Sequence, residues 1–227
     1  MSNKFIKRLK ISDAKFLEIL KYFVYDIEAS KIAELTNLSR SSVNNILKAF
    51  RLRIVVICKQ ESLFQDSSVE LDESYFGARR IRGVRGRGSR GKSIVFGMIK
   101  RGGKVYTQQL DNCSRQQLYP IVSKKIAKNA TIYTDSFRTY NGLVDFGYRR
   151  HDRVKHGENE FADGHNHING IGNFWGIAKT RLARFKGISK NTFYLHFKEC
   201  EFRFNYRYKN IYKFLLKNFR NKPLKLS

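Results

Sequence analysis

The stretch Val69-Glu70-Leu71-Asp72-Glu73-Ser74-Tyr75-Phe76-Gly77 constrains the fold most. It reads as a short strand, and strand side chains alternate between faces. Val69, Leu71 and Glu73 therefore share one side, and Glu70, Asp72 and Ser74 the other. Packing does not call for those acids. A carboxylate at the end of a buried strand is costly unless a cation or a hydrogen-bond donor neutralises it. A metal site is one reading and a solvated strand end is the other; a short motif alone does not separate them.

The charge balance narrows the partners. The chain carries 45 Lys and Arg against 19 Asp and Glu, a formal charge of +26, spread along its whole length. Such a chain is drawn to polyanions, with nucleic acid first among them. No apolar run approaches the ~20 residues of a membrane span, so no membrane partner is expected. Met1 to Lys10 is basic, but the apolar core of a leader is broken by Asp13, Lys15 and Glu18, so none is expected. Cys58, Cys113 and Cys200 lie far apart, which fits neither a disulfide framework nor a zinc ribbon. A reduced, cytoplasmic setting follows.

Residues 12–25 read as a helix, with Ser12 as cap and Phe16, Ile19, Leu20 and Phe23 at helical spacing. A short second helix covers about Ala29 to Leu35. Thr36-Asn37-Leu38 turns, and Ser39 caps a third helix that buries Val43, Ile46, Leu47 and Phe50. The opposite face carries Ser41, Asn44, Asn45 and Lys48, with Arg40 beside it. These are the parts of a helix-turn-helix whose polar face can reach base edges and phosphates. An ordinary three-helix bundle with a solvated face is the alternative. Residues 51–68 read as a connection.

Ala78 to Lys92 holds basic residues and no acid. Within it, Gly86 to Ser93 matches the phosphate-loop pattern G-x-x-x-x-G-K-[ST]. A phosphate loop leads from a strand into a helix, whereas here a strand-like run, Ile94 to Ile99, follows. The better reading is a hairpin loop whose Arg85, Arg87 and Arg90 lie along a phosphate backbone.

Strands at 94–100 and 104–110 form a hairpin through Gly102-Gly103, and Ser114 opens a helix to about Lys128. Ala130-Thr131-Ile132-Tyr133-Thr134-Asp135 is then a second strand with an acid at its tip. Three strands, a helix and an acid-tipped strand is the order of a ribonuclease-H-like fold. There, two aspartates on neighbouring strands meet and bind Mg²⁺ through oxygen ligands.

Three segments, VELDESYFGARR, IYTDSFRTYNGL and HNHINGIGNFWGIAKTRLARFKGIS, together resemble bacterial insertion-sequence transposases with an ISXO-like DDE domain, over about residues 64 to 208. HFKECEFRFNYR fits as well. The resemblance implies an α/β fold, a ribonuclease-H-like mixed sheet flanked by helices; the residues before it read as the all-α helix-turn-helix domain. It implies a D…D…E triad holding divalent cations, Mg²⁺ with Mn²⁺ able to substitute. Asp72 matches the first acid and Asp135 the second. Gly172 stands in the place of the third. Lys179 matches the lysine that follows it in the wider class. On an ideal helix Gly172 and Lys179 are two turns apart and share a face.

Glycine offers no ligand oxygen. Asn169, Asn173, His165, His167, Glu158, Glu160 and Asp163 lie near in sequence, although the two histidines lack the further ligands of a zinc site. Trp175 falls on the apolar stripe and is expected in the core. The expected layout is a DNA-binding domain at 1–62, the transposase domain at 63–210 and a loose basic tail at 211–227. Expected partners are double-stranded DNA, as terminal inverted repeats and target, and further copies of the chain. The competing functions are a DNA-binding remnant without catalysis and a ribonuclease-H-like nuclease.

Overall fold

The computed structural model describes residues 3–60, 64, 68–77, 92–135, 147–148, 150–153, 169–185 and 187–226. In chain order the elements are β1 (Ile6–Lys7), α1 (Asp13–Val24), α2 (Ala29–Thr36), α3 (Arg40–Lys59), β2 (Ser68–Phe76), β3 (Ser93–Lys100), β4 (Val105–Leu110), α4 (Arg115–Lys125), β5 (Thr131–Thr134), β6 (Arg150–Arg153), α5 (Asn169–Arg184), α6 (Lys190–Asn205), α7 (Ile211–Asn221) and β7 (Leu224–Lys225). No helix among the described residues is long and apolar enough to cross a membrane. The chain divides into two compact units, Met1–Gln60 with Phe185–Ser227, and Glu61–Arg184.

The first unit is helical, and short polar residues start its helices. Ser12, Ser39, Ser189 and Asn210 each accept a hydrogen bond from a backbone N–H in the first turn of α1, α3, α6 and α7, satisfying an otherwise orphaned donor. Asn37 ends α2 in the left-handed region (φ 50°), a conformation asparagine tolerates, so α3 follows after a tight turn. Phe16, Phe50 and Phe219 pack together at the centre, with Phe50 and Phe219 stacked at 5.1 Å and Phe16 edge-on to Phe50 at 5.5 Å.

Two expectations are corrected here. The segment after Phe50 is no connection: α3 runs 20 residues, and Ile54, Ile57 and Cys58 continue its buried stripe. The run Ile54 to Ile57 obscured helical spacing because four adjacent apolar residues carry no period of their own. Nor are the last residues a loose tail. α7 buries Leu215 and Phe219, and β7 pairs with β1.

The second unit holds a five-stranded mixed sheet in the order β4-β3-β2-β5-β6. β2, β3 and β4 are antiparallel neighbours, while β5 and β6 run parallel to β2. On one face Val69, Leu71, Phe96, Met98 and Ile132 pack with Leu118 and Val122 of α4. α4 stops at Lys125, earlier than its apolar pattern suggests, because Ile126 is extended and bridges to Phe64. β6, Arg-His-Asp-Arg, has no apolar alternation and escaped the sequence reading; its partner β5 supplies the pairing.

Candidate active site

Glu70 and Asp72 point to the sheet face covered by α5. Asp72 lies opposite Gly97 of β3. The absent side chain at Gly97 makes room for the Trp175 ring: a Cβ there would lie 2.6 Å from the ring's Cη2. Trp175 Nε1 then donates to Asp72 Oδ2 at 2.9 Å, and the Glu73 N–H donates to Asp72 Oδ1 at 2.9 Å. Trp175 is thus both core and a donor to the first acid, where only the core role was expected. A glycine inside the strand Ser-Ile-Val-Phe-Gly-Met-Ile-Lys was the available signal, since such a glycine marks close approach. Gly97→Ala should therefore displace the indole and cost about 1–3 kcal/mol, as overpacking does. Thermal unfolding and Trp175 emission, which should move together, measure it.

Glu70 is 1% exposed, so its charge needs partners. Arg101 Nε donates to Oε1 at 3.2 Å, and the Ile171 N–H donates to Oε2 at 2.9 Å. The second bond sits in the first turn of α5, where a carboxylate is favoured. Gly170 permits that approach, because a Cβ there would lie 3.0 Å from Glu70 Oε2. The guanidinium of Arg101 also lies 3.7 Å from the centroid of the Tyr133 ring. Two carboxylates of β2 therefore hold α5 at Ile171 and Trp175, one turn apart. Arg101 was missed because nothing local links it to Glu70.

β2 and β5 pair in parallel with Glu70 opposite Tyr133. The pairing ends there, β5 ends at Thr134, and Asp135 follows directly after the strand. On α5, a Cβ at Gly172 would meet nothing within 4 Å. Lys179 is exposed two turns along the same helix, with its Nζ 5.8 Å from the Phe76 ring centroid. Among the described residues, no group of three or more His, Cys, Asp or Glu could hold a metal ion. Two carboxylates have the hard oxygen donors that Mg²⁺ or Mn²⁺ takes. Asp72 and Asp135 carry donors of that kind.

Tyr75 lies on the other side of β2. Burial first, then the hydrogen bond with Cys113, pushes its hydroxyl up to about 12. The residues proposed to touch DNA fall in two groups. Arg40, Ser41, Asn44, Asn45 and Lys48 are exposed on α3. Arg85, Arg87 and Arg90 lie outside the described residues, as do His165, His167, Glu158, Glu160 and Asp163.

Comparison with known proteins runs along the whole length of the chain. Residues 65–205 match the ISXO2-like transposase domain. An "uncharacterized transposase-like protein" of Haemophilus influenzae is 46% identical over 102 residues, which cover 45% of this chain and 81% of that protein. An "uncharacterized protein in transposable element ISH50" of Halobacterium salinarum is 28% identical over 141 residues, 56% of this chain and 48% of that protein. Among solved structures, a simian T-cell lymphotropic virus intasome aligns with a TM-score of 0.40 at 8% identity, covering 82% of this chain and 67% of that one. The Mos1 strand transfer complex aligns at 0.31 and 12%, covering 93% and 78%. Likeness at those scores decides nothing about fold or partners.

Proposed function

Because this chain belongs to the family of the ISXO2-like transposase domain, we propose that it is an insertion-sequence transposase that binds its element's ends and carries out divalent-metal-dependent strand cleavage and transfer. The observation that carries the reading is Asp72, held on β2 by the Trp175 N–H of α5, on the strand whose parallel neighbour β5 leads into Asp135. The strand order supports a ribonuclease-H-like sheet: counted along the sheet the strands run third, second, first, fourth, fifth, with the first three antiparallel. The tight turn between α2 and the capped α3 supports a helix-turn-helix, with Arg40, Ser41, Asn44, Asn45 and Lys48 facing the DNA.

Asp72 and Asp135 would hold Mg²⁺, or Mn²⁺ in its place; when bound, the ion supplies Lewis-acid activation of water or of a freed 3′-hydroxyl for attack on a phosphodiester. The protein's own part is positioning. The Trp175 and Glu73 N–H groups fix both oxygens of Asp72. Glu70, bonded to Arg101 and the Ile171 N–H, fixes the start of α5. Lys179 extends from that helix as a cation for the phosphate next to the cut. The arginines at 85, 87 and 90 would add backbone contacts. The work is done by copies assembled on terminal inverted repeats and target DNA, in the cytoplasm at the nucleoid.

Gly172 favours a second reading, a catalytically defective protein that still occupies element ends. A strand-transfer assay with Mg²⁺ or Mn²⁺ separates the two. Cleavage and joining by the native chain, abolished in Asp135→Ala, establish the enzyme. No cleavage by the native chain leaves the defective binder. Cutting without joining of ends would instead identify a nuclease.

A further inference from the structure

α7 puts its apolar and basic residues on opposite sides. Leu215 and Phe219 are buried, and Asn218 Oδ1 accepts from Arg53 Nη1 of α3 at 2.8 Å, so the helix is anchored in its unit. Lys213, Lys217 and Arg220 are exposed on the other side, at the i, i+4, i+7 spacing of one stripe. That stripe is about 10 Å long, the span of roughly three phosphates at ~3.4 Å rise per strand. No Asp or Glu follows Glu201 in the chain, and among the described residues none of these three cations makes an ion pair. A solvated basic face would need nothing more.

The turn before α7 adds a different feature. Tyr208 is 89% exposed. It does not stand alone. The Arg207 guanidinium lies 4.7 Å from the Tyr208 ring centroid and 4.1 Å from that of Phe204, and Arg207 Nη1 donates to the Phe204 carbonyl at 2.6 Å. Arg207 is thereby fixed against one side of the tyrosine, and the ring stays presented to solvent. Lys209 follows it, exposed. An open aromatic ring beside a held arginine and an exposed lysine is the pairing that takes an unstacked base and its phosphates.

We propose that α7 and the turn before it form a second DNA-binding surface, which takes a junction between duplex and single strand: the duplex backbone along Lys213, Lys217 and Arg220, and an unpaired base on Tyr208. It rests on the reading that the chain works on DNA, and it would hold a strand end once that end has been cut. No base edge is read here, so the surface is indifferent to sequence.

The test uses the full chain and fluorescence anisotropy with two probes, a blunt duplex and the same duplex carrying a short single-stranded overhang, across a salt series. The native chain should prefer the overhang probe by about tenfold, within the range of one stacked base, and Tyr208→Ala should erase that preference. Lys213→Gln with Lys217→Gln and Arg220→Gln should flatten the log–log salt slope by about 2.7 on both probes, at ~0.9 per lost phosphate contact. All four side chains are exposed, and circular dichroism of each variant checks the fold. An unchanged slope in the triple variant, or an overhang preference retained by Tyr208→Ala, overturns the proposal. Binding of neither probe by the native chain would remove the DNA-processing reading as well. Loss of end-sequence binding in Lys48→Ala with the overhang preference intact would show that the two surfaces act separately, as proposed.

Discussion

Gly172→Glu is expected to raise metal-dependent strand transfer by at least about a hundredfold over the native chain. A ligand that completes a Lewis-acid site contributes several kcal/mol to the transition state, and each 1.36 kcal/mol is tenfold in rate; about 3 kcal/mol therefore gives the figure. The site can accept the side chain, since a Cβ at 172 meets nothing within 4 Å. It lies in the first turn of α5, where an acid interacts well with the helix dipole. Losing a glycine from a helix also stabilises by roughly 0.5–1 kcal/mol. The two effects separate cleanly in a strand-transfer assay paired with a thermal melt. If Gly172→Glu melts higher but gains no activity, 172 is not the place of the third ligand. If the native chain already works at the variant's rate, another oxygen serves there.

The second large effect concerns the helical unit. Glu199 of α6 is fully buried and joins two arginines: Arg51 Nε donates to its Oε2 at 2.7 Å, and Arg203 Nε to its Oε1 at 2.9 Å. Arg203 continues to the Val24 carbonyl at 3.0 Å and to the Phe23 carbonyl, closing the end of α1, and lies 3.4 Å from Asp26 Oδ1. One carboxylate therefore ties α3, α6 and the end of α1 together. Glu199→Ala takes the carboxylate from Arg51 and leaves Arg203, among the described residues, with Asp26 alone as its counter-charge, in a site where neither side chain is exposed. Breaking a buried pair this way costs about 3–5 kcal/mol, a fall on the order of 10 °C in melting temperature for a chain of this size. Glu199→Gln, which keeps an acceptor oxygen, should lose less. A loss under about 1 kcal/mol in Glu199→Ala would show that the network contributes little. Because α3 belongs to this unit, DNA binding should fall along with its stability.

Local patterns made much of this architecture legible. Alternation in Val69 to Phe76, β-branched residues in Thr131 to Thr134 and the stripe Ile171, Phe174, Trp175 and Ala178 each carry their own period, and each forms the expected element. What stayed hidden depends on partners far along the chain. Arg101 meets Glu70 across 31 residues, Trp175 meets Asp72 across 103, and Arg51 meets Glu199 across 148. No spacing rule reaches that far. α7 was hidden differently: its lysines drew attention to charge, while Leu215 and Phe219 set the helix face that packs. At the end of α5, Arg181 is buried and Leu182 half-buried.

Trp175 is the chain's single tryptophan and is hydrogen-bonded to Asp72, so its emission reports on the first acid without any added label. Titrating Mn²⁺ into the full chain should quench that emission to saturation, and, on the proposed two-aspartate site, Asp135→Asn should abolish the effect. Emission that stays constant in the native chain, or quenching that survives in Asp135→Asn, would mean that Asp72 and Asp135 do not form one cation site.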